Sequence, residues 1–183
     1  FNSPNDVVVS SNGDIYFTDP TYGFMFLSDF TFDESVKELD FSGVYKYNSE
    51  SGIELVSNEL DLPNGLALSN DERYLYVNSS NTDEAPIILK IDLKNENKSD
   101  LFFDGTELAK KFPGSFDGLK IHSSGNIFTT GPNGILVLSP AGKLLANIKF
   151  KDMLTNCAFD SDENYLYVTG FSIVARIALK NNI

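Results

Sequence analysis

The sequence is poor in several residue types, and each shortage excludes a class of protein. Among 183 residues there is one cysteine, so no internal disulfide can form and a small disulfide-stapled scaffold is excluded. Only 14 lysines and arginines oppose 26 acidic residues, and the formal net charge of −12 disfavours both nucleic acid and anionic membranes as partners. No stretch reaches the roughly 18 apolar residues of a membrane span. A cation is a more suitable charged partner.

Histidine is also scarce, since His122 is the only one. It lies five residues after Asp117 on one predicted strand, roughly 16 Å away at about 3.3 Å per residue. We therefore expect His122 at the opposite end of the strand, which excludes a Ser-His-Asp triad with Asp117. Cys157 precedes Ala158 and Phe159, and this apolar setting predicts a packed thiol and not a nucleophile.

What is abundant is a repeated hairpin. Each copy has a polar head residue, an apolar strand, a tight turn about eight residues after the head and a second strand ending in Thr or Asn. The copies are NDVVVSSNGDIYFT (5–18), NGLALSNDERYLYVN (64–78), DGLKIHSSGNIFTT (117–130) and TNCAFDSDENYLYVT (155–169). Two more strand-like runs follow each of the first three hairpins, and one follows the fourth.

Four antiparallel strands per repeat are typical of a β-propeller blade. The sequence predicts an all-β protein, a β-propeller, with about three and a half blades in one partial domain over 1–183. The predicted blades span approximately 4–60, 61–105, 113–150 and 153–183. Because three and a half blades cannot close a ring, we expect that N-terminal blades are missing, or that another chain or self-association supplies the remainder.

The first strand raises a separate question. Val7, Val8 and Val9 form an unbroken β-branched run, which predicts a strand covered on both faces. Polar groups beside such a strand must be hydrogen-bonded, solvated or bound to something, and Asn5 and Asp6 are in this position.

Four motifs in order resemble the gluconolactonase branch of the senescence-marker-protein, gluconolactonase and luciferin-regenerating-enzyme family. They are SPNDVVV…GDIYFTDPTYGF, LPNGLALSNDERYLYV, FDGLKI…GNIFTTGPNGI and TNCAFDSDENYLYVTG, and they extend over essentially the whole chain. The resemblance implies a six-bladed propeller with a divalent metal in its central channel and hydrolase activity on lactones or other small esters.

The head residues Asn5, Asn64 and Asp117 begin successive inner strands, so propeller geometry predicts that they converge at one mouth of the channel. Their oxygens suit calcium most, with magnesium, manganese or zinc as alternatives. The resemblance implies that Asn64 and Asp117 bind the metal, that Asp117 is also the catalytic base, and that Asn5 faces the substrate. Capping of turns is the alternative role of these heads. The family's further metal ligand, a Glu of the first blade, has no counterpart in this chain, and Ser3 stands where some members have Arg.

The segment 18–41 is too long for a hairpin connection, and long loops on a rigid scaffold are often lids. Asp19 and Tyr22 would then border a substrate pocket. A solvated acidic loop with Pro20 and Gly23 as turn residues is the alternative, and the sequence leaves both open.

The sequence thus supports a divalent-metal-dependent hydrolase of a sugar lactone or similar cyclic ester, inactive if the chain lacks essential blades. The alternative is a non-catalytic propeller that serves as a binding module. A metal-free propeller of the strictosidine-synthase type fits less well, because oxygen-bearing head residues recur. The expected partner is a small-molecule lactone or ester.

Overall fold

Four antiparallel sheets follow one another along the chain in a computed structural model that describes residues 1–26, 28–29, 31–81 and 86–179. Within each sheet the strands are hydrogen-bonded in sequence order, as in the blades of a propeller. The first blade contains β1 (Val7–Val9), β2 (Ile15–Asp19), β3 (Gly43–Asn48) and β4 (Gly52–Ser57). The second contains β5 (Pro63–Leu68), β6 (Tyr74–Ser79), β7 (Ile87–Asp92) and β8 (Lys98–Asp104).

The third and fourth blades continue this order. The third contains β9 (Leu119–Ile121), β10 (Ile127–Gly131), β11 (Gly134–Leu138) and β12 (Leu144–Lys149). The fourth contains β13 (Leu154–Phe159), β14 (Tyr165–Gly170) and β15 (Val174–Ala178). In the described part of the chain the fourth blade therefore has three strands, so the prediction of about three and a half blades is confirmed. The single-domain boundaries stay a prediction, and residues 180–183 lie outside the described residues.

Helical structure is short and lies in the connections. Helix α1 (Thr106–Ala109) precedes the third blade, and 3₁₀ turns at Tyr22–Phe24 and Glu34–Val36 lie in the long connection between β2 and β3. None of the helices in the described ranges is long and apolar enough to cross a membrane.

The four predicted hairpin turns share one backbone geometry. In each turn the last residue donates its N–H to the carbonyl three residues earlier and has a positive φ. Gly13 and Gly125 adopt this left-handed conformation at little cost, whereas Glu72 and Glu163 hold it at φ 53° and 55°. The two glutamates therefore carry backbone strain, and contacts of their side chains must offset it.

Those contacts join neighbouring blades. Glu72 accepts hydrogen bonds from the backbone N–H and the hydroxyl of Ser11, each at 2.7 Å. Glu163 accepts from the N–H of Ser123 at 3.1 Å, and Asn70 donates to the carbonyl of Ser123 at 2.9 Å. The hairpin turns thus form a continuous line of polar contacts at the end of the blades away from the head residues.

The hydrophobic core lies between adjacent blades and not inside one sheet. Tyr16 and Val44 of the first blade pack against Leu66, Leu75 and other apolar residues of the second. Comparable clusters lie between the second and third blades and between the third and fourth. Each blade therefore depends on its neighbour for burial.

The expectation of a first strand covered on both faces is wrong. Val8 packs against the core between the first two blades, whereas Val7 and Val9 are 56% and 59% exposed. Successive side chains of a strand point to opposite faces, and no described blade covers the face of Val7 and Val9. The valine run reflects β propensity, not burial on both sides.

Candidate functional site

The predicted head residues meet in one cavity. It has a volume of about 380 Å³ and lies at the start of the first strand of each blade. Its lining is polar and consists of Asn5, Asp6, Asn64, Asp117, Thr155, Asn156 and Thr169. The structure thus brings together Asn5, Asn64 and Asp117, which come from three different blades.

Glycine residues allow the inner strands to approach closely enough for this convergence. The N–H of Gly65 donates to the carbonyl oxygen of Asp117 at 2.9 Å, and the N–H of Gly118 donates to that of Thr155 at 3.0 Å. A Cβ atom at position 65 would overlap the carbonyl oxygen of Asp117, and one at position 118 would overlap Asn156. A glycine must therefore follow the head residue in the second and third blades.

Hydrogen bonds from two neighbouring strands hold the main chain of Asp117. The side-chain amide of Asn78 donates to its carbonyl oxygen at 2.8 Å, and its own N–H donates to the hydroxyl of Thr130 at 3.1 Å. Asn78 is fully buried and also donates to Thr129 at 2.9 Å. The Asp117 carboxylate is thus attached to a backbone that is fixed on both sides.

The electrostatic setting of Asp117 is unusual for a carboxylate. Burial, and secondarily the charge of Asp6, raises the pKa of Asp117 to about 7, although a hydrogen bond from Asn64 acts in the opposite direction. Asp6 stands beside the cavity because it follows head residue Asn5, and its Oδ2 atom accepts a hydrogen bond from the N–H of Leu66 at 3.3 Å. A second carboxylate at this site was not predicted, because Asp6 aligns with Gly65 and Gly118 in the repeat.

Asn64 is buried at the second head position. Its Nδ2 atom donates to the hydroxyl of Ser80 at 3.0 Å. The sequence did not predict a role for Ser80, because it follows the end of β6 and is not a head residue. Strand register explains the inward direction of Asn64, since the pairing of β5 with β6 is irregular between Pro63 and Leu66.

Tyr22 approaches the cavity from the long connection. Burial raises the pKa of Tyr22 to about 12, while hydrogen bonds with Ser80 and Asn64 act to lower it. Ser3 helps to hold this turn, because its hydroxyl accepts a hydrogen bond from the N–H of Gly23 at 2.8 Å. The structure thus places Tyr22 beside Asn64 but not in the cavity lining, and its role at a substrate pocket stays a prediction.

Asp19 is located differently. It is fully buried, and its carboxylate accepts hydrogen bonds from the N–H groups of Asn2 at 2.8 Å and Ser3 at 2.7 Å. The Asp19 side chain does not line the cavity but fixes the segment that leads to Asn5.

The two residues that the sequence excluded from catalysis lie where it predicted. His122 is at the hairpin turn beyond β9, where its ring contacts Ser124 at 2.9 Å and Glu163 at 3.4 Å. Cys157 is 3% exposed, and burial raises the pKa of its thiol to about 12, so it is a packed residue. Neither residue lines the cavity in which the head residues meet, which we call the head cavity.

The fourth blade contributes cavity residues that the pattern of head residues did not predict. Thr155 lines the cavity at the position that corresponds to Asn64. Asn156 lines it as well, but its Oδ1 atom accepts a hydrogen bond from the N–H of Cys157 at 2.8 Å. An irregular register between Leu154 and Asn156 brings both residues to the cavity.

The donor set is chemically suited to a hard cation. Asp117, Asp6 and Asn64 line one polar cavity with no cationic side chain in its lining, and burial, followed by the charge of Asp6, raises the pKa of Asp117. Within the described ranges, no three His, Cys, Asp or Glu residues cluster as a metal site by themselves. Asp117, Asp6 and Asn64 nevertheless supply carboxylate and amide oxygens, which are the ligand type of hard cations.

Comparison with known proteins assigns the chain to a family. The SMP-30/Gluconolactonase/LRE-like region matches residues 1–172, and the chain belongs to this family. It is 34% identical over 194 aligned residues to a gluconolactonase of Zymomonas mobilis, in an alignment that covers 98% of this chain and 51% of that protein. The chain thus spans about half the length of this relative.

Solved structures support the same fold. A gluconolactonase of Xanthomonas campestris superposes with a TM-score of 0.82 at 28% identity, covering 98% of this chain and 57% of that one. Regucalcin of Agrobacterium tumefaciens, described as a calcium-binding protein, superposes with a TM-score of 0.67 at 17% identity, covering 90% and 52%. The predicted family and the β-propeller fold are confirmed.

Proposed function

We propose that this protein hydrolyses a sugar lactone or a similar small cyclic ester in the head cavity, with a divalent cation held by Asn64 and Asp117. The observation that carries the proposal is the meeting of these two side chains, from different blades, in one polar cavity of about 380 Å³. The similarity to the Zymomonas gluconolactonase supports the choice of a lactone. The hard oxygen ligands suit calcium, magnesium or manganese better than zinc, and we choose calcium because a structural neighbour is described as calcium-binding.

Asp117 is the catalytic residue of the proposed reaction. Its carboxylate accepts the proton of the water molecule that attacks the lactone carbonyl, and later returns it to the leaving ring oxygen. Burial raises its pKa to about 7 in the metal-free protein, and a bound cation would lower this pKa and keep the carboxylate ionised and able to accept a proton. When bound, a divalent cation supplies Lewis acidity at the lactone carbonyl and lowers the pKa of water.

The remaining candidates position the substrate. Asn5 lines the cavity from the first blade, where its amide can bind the hydroxyl groups of a sugar lactone. The largely buried Tyr22 closes the side near Asn64 and limits access of bulk water. We propose that Asp19 acts indirectly, by holding Asn2 and Ser3 and thereby the segment that carries Asn5.

The test is hydrolysis of glucono-1,5-lactone, followed by acid release at constant pH, in EDTA and after addition of calcium. We expect activity that EDTA abolishes and calcium restores, and a loss in kcat/KM of at least roughly 100-fold for Asp117→Asn. Asp162→Asn, the same change in an exposed hairpin turn, is the control and should retain activity. Hydrolysis that EDTA does not affect would contradict the metal dependence. Binding of the lactone without its hydrolysis would favour the non-catalytic alternative.

A further inference from the structure

Two of the hydrogen bonds of Ser80 act on the orientation of Asn64, whose side chain also contacts Tyr22 and donates to Asp117. The Ser80 hydroxyl donates to the carbonyl oxygen of Phe116 and accepts a hydrogen bond from Nδ2 of Asn64 at 3.0 Å. A carbonyl oxygen can only accept, so the single proton of the Ser80 hydroxyl is directed at Phe116. Only a lone pair of Ser80 then faces Asn64, and it can be satisfied only by the NH₂ side of the amide.

The acceptor of this arrangement is rigid. Phe116 is fully buried, and its ring packs edge-on against Phe103 with centroids 6.1 Å apart. Phe116 also directly precedes Asp117, whose main chain is held by Asn78 and Thr130. Ser80 thus connects Asn64 to the same backbone segment that carries the second candidate ligand.

We propose that Ser80 is a positioning residue that orients the Asn64 amide, with Nδ2 toward Ser80 and Oδ1 left for a cation. This inference rests on the proposed function, because it assigns to Ser80 an effect on cation binding by Asn64 and Asp117. Without Ser80 only the contacts of Asn64 with Asp117 and Tyr22 oppose a half-turn of the amide, after which its NH₂ group, which cannot bind a cation, would replace Oδ1. The sequence provided no signal for this role, since serine at a strand end is common in turns.

Terbium luminescence excited through tyrosine tests the proposal without an activity assay, because Tb³⁺ replaces Ca²⁺ at oxygen sites and Tyr22 lies beside Asn64. We expect Ser80→Ala to weaken Tb³⁺ binding roughly tenfold, in line with other residues that orient metal ligands. Ser80→Thr keeps the hydroxyl and should remain within about threefold of the unmodified protein. Ser79→Ala, at a neighbouring buried serine whose hydroxyl accepts a hydrogen bond from the N–H of Asn81 at 3.4 Å, is the matched control.

A double-mutant cycle separates orientation from general damage. Aspartate at position 64 presents two equivalent oxygens, so Ser80→Ala should change Tb³⁺ affinity by less than about twofold in the Asn64→Asp background. Equal losses in both backgrounds, or unchanged binding by a folded Ser80→Ala protein, would overturn the positioning role alone. If Ser80→Ala does not fold, Ser80→Cys takes its place in both backgrounds and is judged by the same outcomes. Absence of Tb³⁺ and Ca²⁺ binding in the unmodified protein would overturn the metal-dependent function and this inference with it.

Discussion

The carboxylate of Glu72 receives two hydrogen bonds from Ser11 across the junction between the first and second blades, at 2.7 Å each. Glu72 makes these contacts with φ at 53°, a left-handed backbone that costs about 1 kcal/mol for a residue with a side chain. At Glu72 the hydrogen bonds to Ser11 stabilise the fold, whereas the left-handed backbone destabilises it. Substitutions at this position can separate the two contributions.

We expect Glu72→Ala to lower the free energy of unfolding by about 1 kcal/mol, because the hydrogen bonds are lost while the strain remains. Glu72→Gly loses the same hydrogen bonds but relieves the strain, so its stability should lie above that of the alanine variant by about 1 kcal/mol. Urea unfolding monitored by circular dichroism measures both. Equal stabilities of the two variants would show that strain at position 72 is negligible.

Gly65 tests the close approach of the inner strands. We expect Gly65→Ala to destabilise the protein by about 3 kcal/mol, because the added Cβ atom would overlap the carbonyl oxygen of Asp117. Gly52→Ala is the control: position 52, unlike position 65, has a positive φ, but a Cβ atom there meets nothing within 4 Å. The control should lose only about 1 kcal/mol of stability in thermal or urea unfolding. Similar losses would refute the steric argument.

His122 provides a test of position against residue type. It contacts Ser124 and Glu163 at the turn end of β9, so His122→Ala should leave lactone hydrolysis within about threefold of the unmodified protein. Rates are compared as kcat/KM on glucono-1,5-lactone, beside Asp117→Asn. A loss of more than about tenfold in a folded His122→Ala protein, equivalent to roughly 1.4 kcal/mol of transition-state stabilisation, would place catalysis elsewhere.

The raised pKa of Asp117 predicts how stability changes with pH in EDTA. The unfolded chain loses the Asp117 proton near the ordinary aspartate pKa of 3.8, whereas the folded protein holds it up to a pKa of about 7. Between these values the folded state binds more protons, so the free energy of unfolding falls as pH rises through this window. Because part of the side chain reaches solvent, we expect Asp117→Asn to remove only about 2 kcal/mol of this decline.

Denaturant unfolding at pH 4 and pH 8 measures the difference for both proteins. Asp162→Asn, in an exposed turn, is the control and should leave the pH dependence unchanged. The prediction fails if Asp117→Asn declines in stability as steeply as the unmodified protein.

Self-association is the remaining prediction. Val9 of β1 and Val174 of β15 are 59% and 78% exposed, and among the described strands none pairs with the free edge of β15. Exposed apolar faces and open sheet edges favour association, so the 183-residue chain should be larger than a 20.2 kDa monomer in light scattering at low micromolar concentration.

Lysine substitutions locate the contact. Val9→Lys together with Val174→Lys should shift the population toward monomer, whereas Leu101→Lys should not. Leu101 is as exposed as Val9 but lies on the outer strand of a complete four-stranded blade. A compact monomer in the unmodified protein would contradict the prediction.

Much of the architecture could be predicted because one hairpin recurs with its head residue, turn and strand lengths intact. The same alignment predicted that Asn64 and Asp117 would meet, since head residues of adjacent inner strands occupy equivalent positions. It failed for Asp6, whose equivalents in the next two blades are glycines, so repetition offered no signal for a carboxylate. It also failed for Ser80, which contributes through the direction of a single hydroxyl proton.

Burial of individual strands was harder to predict than their existence. The run Val7–Val9 has the composition of a strand covered on both faces, yet only Val8 contacts the core. Composition reports β propensity, while burial depends on which blade lies opposite, and this information is not local. The hydrogen bonds from the N–H groups of Asn2 and Ser3 to Asp19 were equally hard to predict, because they depend on how the N-terminal segment folds back.

The hydrogen bond from the N–H of Gly65 to the carbonyl of Asp117 joins two backbone segments of this chain. Backbone groups are chemically the same whatever side chains surround them. The spacing between the heads of the second and third blades is therefore independent of the connection between β2 and β3, which forms the rim near Tyr22. Under the proposed function, substitutions and insertions in that connection would alter substrate access near Tyr22 without changing the main-chain distance between Asn64 and Asp117. Selectivity for substrate and geometry of the reactive groups can thus change separately during divergence of such proteins.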